Sequence, residues 1–486
     1  MRSSSLLALL ALPAHFALAQ APAQGGALSL DDAIRTAQQN NPTFLTYKNN
    51  VRNADAQLRS AHGALLPQAN ASFRTQYTQG GTQYIQGVPI NGADSYSSGY
   101  SVGLSYNINA GLAYAPKAAK AQRAASEADI SSQAENLRAT ITQLYITAAQ
   151  SEALAAVLDT LVTVAQGQLD LANAKMEAGA GTVIDVRTAE VALGQQRVQA
   201  LTQHNTARLD KLRLFETMGV PGDPDAKLTT TFSDAVPSFS LDSLLALARR
   251  TNPDLRARES RLAADEANVK LQKTQYLPSI FLSTGYGANA YGYANTDAQE
   301  ASLAASVASG YHSCLAQDSL RVGAGLAPRG GCGTGVVSDA QLKSLRDANQ
   351  RFKFTKAPYS IGAQVSLPLF NGFQREQNVE QSRVARDNAA LDVRQRNLQL
   401  TTAVTQAYLT LETQRQTVEL QTQTAAKAAE ELALSQESFK VGAKTFLDVT
   451  SARANYEKAQ IDRVNAVYQY QSAFAALENA VGRPLR

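Results

Sequence analysis

At 486 residues and a formal net charge of +4, the chain has neither the basic surplus of a nucleic-acid binder nor an acidic tail. Charged residues are 18% of the total, and the two cysteines have no nearby histidine pair with which to hold zinc. Nucleic-acid partners, metals and cofactors are therefore not expected.

Residues 1–19 read as an export signal, with Arg2 as the positive end, Leu6 to Leu12 as the apolar stretch and Ala17-Leu18-Ala19 as the cleavage site. The mature chain is expected to begin at Gln20, with no cysteine there to carry a lipid. After the signal, no apolar run looks long enough to span a membrane as a helix. That leaves an exported soluble protein or a β-barrel.

Leu30-Asp31-Asp32-Ala33-Ile34 opens a helix behind Ser29, a natural N-cap, and the helix stops before Asn41-Pro42. A second helix ends at Leu66-Pro67, because proline cannot continue helical hydrogen bonding. Past it the period becomes two. Ala69, Ala71, Phe73, Thr75 and Tyr77 alternate with polar residues, as do Tyr96, Ser98, Tyr100, Val102, Leu104, Tyr106 and Ile108. The pattern predicts a membrane β-hairpin over 67–110. Gly99-Tyr100-Ser101-Val102-Gly103 has the spacing of a hydrolase nucleophile motif, yet the alternation runs straight through Ser101, where that chemistry needs a sharp turn into a helix. No convergent catalytic set is present, and no enzyme is expected.

A long helix is predicted from about Pro116. Ile141, Ala148, Ala155, Val162, Leu169 and Met176 recur every seventh residue, the packing seam of a supercoiled helix. The chain reverses over a tip at 177–185 and returns with a seam at Val186, Leu193, Ala200, Ala207 and Leu214, ending at Met218-Gly219. Pro221-Gly222-Asp223-Pro224 begins the linker that closes a first repeat, 20–228.

Residues 229–486 repeat this string. Leu241 follows Leu30 by 211 residues, with Ser240 as cap, Asn252-Pro253 as stop and Leu277-Pro278 as the next break. The second hairpin, 278–370, takes its strands from Ile280, Leu282, Thr284 and Tyr286 and from Tyr359, Ile361, Ala363, Val365 and Leu367. Between them lies an insertion, 288–358, that carries Cys314 and Cys332. In an oxidising compartment these are expected to pair, two free thiols being the alternative. From Phe373 to Lys440 there is no Gly or Pro, and the seam Val404, Leu411, Val418, Ala425, Leu432 and Phe439 matches the first one at a step of 263 residues. A tip at 440–448 follows, and the last helix ends at Val481-Gly482.

The fold class is thus mainly α with membrane β: four β-strands and long coiled-coil helices per chain, in two internal repeats. A sheet in lipid has to close, because unpaired edges in hydrocarbon are costly. Four strands cannot close alone. Two copies would give a filled eight-stranded barrel, and three a twelve-stranded one with an open lumen, the reading favoured here for its Gly- and Ser-rich second face.

The twin Leu-(x)₁₁-Pro openings, the Leu-Pro breaks and the two Gly-x-x-Thr-x-x-Asp turns resemble the TolC family of outer-membrane channel proteins. The resemblance covers essentially the whole mature chain. It implies a homotrimer in outer-membrane lipid with a tunnel into the periplasm, docked to a periplasmic adaptor (membrane fusion) protein and an inner-membrane RND or ABC transporter, for efflux or type I secretion. It implies adaptor docking at the tips, here Gly179, Thr182, Val183, Gly442, Thr445 and Phe446. For the periplasmic gate it points to Asp448, Ser451, Asp185, Lys444 and Phe439. Ser451 stands where the family has a second aspartate, and Phe439 where it has a tyrosine, so that the tyrosine link is lost and a Lys444–Asp185 ion pair is left. Thr182 with Asp185 and Thr445 with Asp448 also read as capping boxes. A trimeric coiled-coil adhesin or surface structural protein is the rival reading.

Overall fold

The computed structural model describes residues 27–85, 87–232, 239–350 and 352–485; the export signal lies outside them. Each repeat opens on a short helix and a longer one: α1 (Leu30–Asn40) and α2 (Pro42–Gly63), then α5 (Leu241–Thr251) and α6 (Pro253–Lys273). The cause is local. Ser29 and Ser240 accept backbone N–H bonds at the two starts. Asn41 and Asn252 break the pair and cap the next helix through their Oδ1 atoms, taking the N–H of Phe44 at 2.8 Å and of Leu255 at 3.1 Å.

The sequence splits into two contact units. One comprises the residues up to Leu58, Lys117–Val269 and those from Gln381 on; the other is Arg59–Pro116 with Lys270–Glu380. The long helices α3 (Gly111–Glu177) and α9 (Gln374–Lys440) have 67 residues each, most of them in the first unit, and the returning helices α4 (Val183–Met218) and α10 (Phe446–Val481) have 36 each. The returning seam Val186, Leu193, Ala200, Ala207 and Leu214 is buried throughout, as are Val404, Leu411, Ala425, Leu432 and Phe439 of the α9 seam. Met176 of the α3 seam departs from the pattern at 36% exposure.

Equivalent cores close the two repeats. Ala33 and Ala37 of α1 meet Ile141, Tyr145, Leu214 and Met218, while Leu244 and Ala248 of α5 meet Leu400, Val404, Leu477 and Val481. A parallel pair of two-residue strands, β1 (Ala27–Leu28) and β6 (Lys227–Leu228), lies beside the first core. The hydroxyl of fully buried Tyr145 donates to the Leu28 carbonyl at 2.8 Å and accepts from the Thr229 and Thr230 amides. Gly219 and Gly482 cap the returning helices at φ +77° and +86°, against the Asn40 and Asn252 backbones.

The long-helix bounds correct one expectation. α3 begins at Gly111 and runs through Pro116, whose ring is tolerated because it costs only one hydrogen bond near the helix start. The Ala-rich α3 also contains an 18-residue window of mean hydropathy 1.2, 39% of it buried, which is apolar enough to cross a membrane by length and composition alone and was not expected.

In the second unit, four long strands pair antiparallel in the order β2 (Gln68–Thr78), β5 (Ser95–Asn109), β7 (Ser279–Tyr293), β9 (Ser360–Ser366), with two-residue β8 (Thr355–Lys356) also on β7. Register aligns the apolar positions across strands: Ala71 with Val102 and Tyr286, and Ile108 with Ile280 and Val365. The opposite face aligns Asn70 with Gly103, Gly285 and Ser360. Phe73, Val102, Leu104, Ile361 and Val365 are exposed, so the apolar face is uncovered within one chain.

Two boundaries differ from expectation. β7 continues through Tyr293, because buried Ala288 and Ala290 keep the alternation going; the insertion proper therefore starts later than residue 288. Between β2 and β5, a separate hairpin forms from β3 (Thr82–Ile85) and β4 (Val88–Asn91). The insertion carries helices α7 (Asp297–Gly323) and α8 (Asp339–Ala348). Arg346 clamps Glu300 with two bonds of 2.7 and 3.0 Å, which hold that carboxyl below the ordinary range.

Candidate functional site

The two tips are built by the same backbone device. At the first, the Ala180 amide bonds the Lys175 carbonyl at 2.8 Å and the Gly179 amide bonds that of Met176 at 3.0 Å, with Gly179 at φ +74°. At the second, Ala443 bonds Ser438 at 2.8 Å and Gly442 bonds Phe439 at 3.1 Å, with Gly442 at φ +83°. These are Schellman closures, and glycine supplies the left-handed residue each one needs.

Each returning helix then starts on a complete capping box. Thr182 Oγ1 accepts from the Asp185 amide at 3.2 Å while Asp185 accepts from the Thr182 amide at 3.0 Å; Thr445 and Asp448 do the same at 3.3 and 2.8 Å. The Thr445 amide and hydroxyl, with Lys444 nearby, hold the Asp448 carboxyl below its usual value. Asp448 is exposed, and so is Ser451 one turn on.

Of the residues named for a gate, the structure brings few together within one chain. Within one chain Lys444 donates to buried Ser435 at 3.1 Å, and the Asp185 carboxylate accepts from Thr182. Phe439 is buried, 5.9 Å from the Phe446 ring. Phe446 packs on the buried cluster of Ala172, Val186 and Ala189 of the first repeat. A residue that the sequence did not single out completes the cluster: the Lys175 ammonium lies 3.8 Å from the centroid of the Phe439 ring and donates to the Phe439 carbonyl. Nothing local marks Lys175, since its partner is 264 residues away.

Around the cluster, Val183, Ile184, Val441 and Leu447 stand at least 60% exposed. A groove of about 480 Å³ runs from the tip between α4 and α10, lined by Val183, Ile184, Arg187, Val191, Thr450 and Arg453. An apolar strip flanked by two guanidinium groups suits a helical partner better than a small molecule.

Elsewhere, Cys314 and Cys332 are joined as a disulfide, with Cα atoms 5.5 Å apart. Asp318 beside them accepts from the Arg329 and Gly330 amides; with both sulfurs bonded to each other, this group has no thiolate for a metal. Ser101 sits mid-strand in β5, paired with Ser72 and Gly287, far from the geometry of a nucleophile elbow.

The profile of the outer membrane efflux protein family matches residues 33–220 and 335–483. The stretch between these matches holds β7 and α7. The outer membrane efflux protein BepC of Brucella suis biovar 1 (strain 1330) is 26% identical over 465 residues, 94% of this chain and 85% of that protein. Among solved structures, VceC from Vibrio cholerae superposes with a TM-score of 0.67 at 18% identity, covering 94% of this chain and 97% of that one. The Campylobacter jejuni CmeC outer membrane channel gives a TM-score of 0.70 at 16% identity, covering 93% and 85%.

Proposed function

This chain belongs to the outer membrane efflux protein family, whose members are outer-membrane channels, and from that premise we propose that three copies close one barrel and one periplasmic tunnel. The observation that carries the reading is the open sheet. Among the described residues β2 pairs only with β5, and β9 with β7, so both edges are left over beside an exposed apolar face. In hydrocarbon each unpaired backbone group costs several kcal/mol, and neighbouring copies remove that cost by pairing β2 with β9. Three copies make twelve strands, enough for a lumen.

The conduit performs no chemistry. A periplasmic adaptor docks on the tips around Gly179, Thr182, Val183, Gly442, Thr445 and Phe446, and an inner-membrane RND or ABC transporter supplies the energy. Exposed glycine turns and an apolar groove support docking there. Asp448, repeated by symmetry with Ser451 one turn on, forms a carboxylate ring that favours cations at the gate, to which Asp185, Lys444 and Phe439 contribute from the same tips. The adhesin reading has no support from an antiparallel sheet with two free edges.

The test is to purify the processed chain in detergent, measure its mass and reconstitute it in planar bilayers. A trimer with cation-selective conductance is expected. A monomer that conducts nothing would refute the reading.

A further inference from the structure

The contacts between the two helical hairpins are polar along part of their length. Gln143 donates to Ser472 at 2.9 Å and, seven residues on, Gln150 donates to Asn465 at 2.9 Å; Gln196 bonds Glu457. Water can replace the two neutral contacts at little net cost, so they set register without strongly resisting separation; Gln196, which donates to the Glu457 carboxylate, is the stronger rung. At the tip the contact changes character. A partly buried ammonium, Lys175 of α3, sits on the ring and the carbonyl of buried Phe439 at the end of α9. Phe439's carbonyl is one of the last of its helix, where the helix dipole adds to the attraction for a cation. Cation–π and charge-assisted contacts of this kind, on a buried ring, outweigh a neutral amide pair.

We infer that Lys175 is a latch: it holds the tip of the first hairpin to that of the second, and the hairpins part at the gate when it lets go. The inference rests on the channel reading above. The latch is one-sided, because the repeat step of 263 residues places Ser438 opposite Lys175 and Met176 opposite Phe439. One such contact per chain acts, not two. Phe439 supplies both a ring and a carbonyl to the cation, and Lys175 is its positioning partner.

Lys175→Met keeps the stem and its packing but removes the charge; Lys175→Arg keeps a cation over the ring. Single-channel recordings would compare both with the wild type, with native gels as a check on assembly. If wild-type trimers do not conduct, the channel reading fails, whatever Lys175 does. If they conduct, Lys175→Met should raise the open probability about tenfold, and Lys175→Arg should stay within about twofold of wild type. Phe439→Leu, which keeps the carbonyl and loses the ring, should fall between them and supplies the answer if Lys175→Met does not assemble. Open probabilities equal to wild type in assembled Lys175→Met trimers, or in Phe439→Leu where that variant decides, would overturn the latch.

Discussion

Gly442→Leu separates a glycine needed for docking from one needed for folding. At φ +83° a side chain costs about 1–2 kcal/mol in left-handed strain. A Cβ placed there meets nothing within 4 Å, so no packing cost adds to it. Nearby, Leu432, Phe439 and Val449 are buried, each worth about 1.5–3 kcal/mol, and the hairpin keeps its fold. Gly482 is the contrast. It has a similar φ of +86°, but a Cβ would lie 2.6 Å from Pro253 Cδ and 2.7 Å from Asn252 Cα, atoms of ring and backbone that cannot yield. In a strain lacking the wild-type chain, Gly482→Leu should be missing from the outer membrane. Gly442→Leu should assemble at normal abundance while adaptor capture is lost and dye efflux falls roughly tenfold or more. Normal efflux by assembled Gly442→Leu would refute docking at the tip, and loss of its trimers would refute the argument from empty space.

Two further outcomes follow from single side chains. Tyr145→Phe removes three hydrogen bonds made by one buried hydroxyl; at about 1 kcal/mol each, the Thr230 amide should exchange with solvent roughly 100-fold faster by mass spectrometry, and unchanged protection would show that the hydroxyl is idle. The Asp448 carboxyl is held below its usual range, so its capping contribution is complete above about pH 4 and is lost as the pH falls through the lowered value. Exchange at Thr445–Val449, corrected for intrinsic rate, should rise only in acid, and Asp448→Ala should show the acid level at every pH; a pH-independent wild type would contradict this.

Much of the fold is legible because local chemistry enforces it. Ser29, Ser240, Thr182 and Thr445 can start helices by themselves, and Gly219 and Gly482 can end them. Strand alternation is equally local, and the register lines up the residues it marked. The insertion's α8 had a readable signal in Ser338-x-x-Gln341, which is a full capping box in the structure. β3–β4 was hidden by Pro89, a residue that argues against a strand. Other features depend on which helix faces which. Buried Ser151 donates to Asp210 at 2.7 Å and buried Lys211 pairs with Glu152, locking α3 to α4 where a sequence shows only scattered charge. Lys175 belongs to this class: its role comes from packing between repeats, which periodicity within one helix does not encode.

The matched helix lengths act as a ruler. A residue deleted from α3 but not from α9 would shorten one arm by about 1.5 Å and turn its seam by about 100°, pulling Lys175 off Phe439. Lengthening is therefore tolerable only as paired changes in both arms, or where no arm is measured, as between β7 and β9, where dozens of extra residues have been accepted. Drift in chain length among relatives of this protein should accordingly collect in the strand connections and leave the two arms equal.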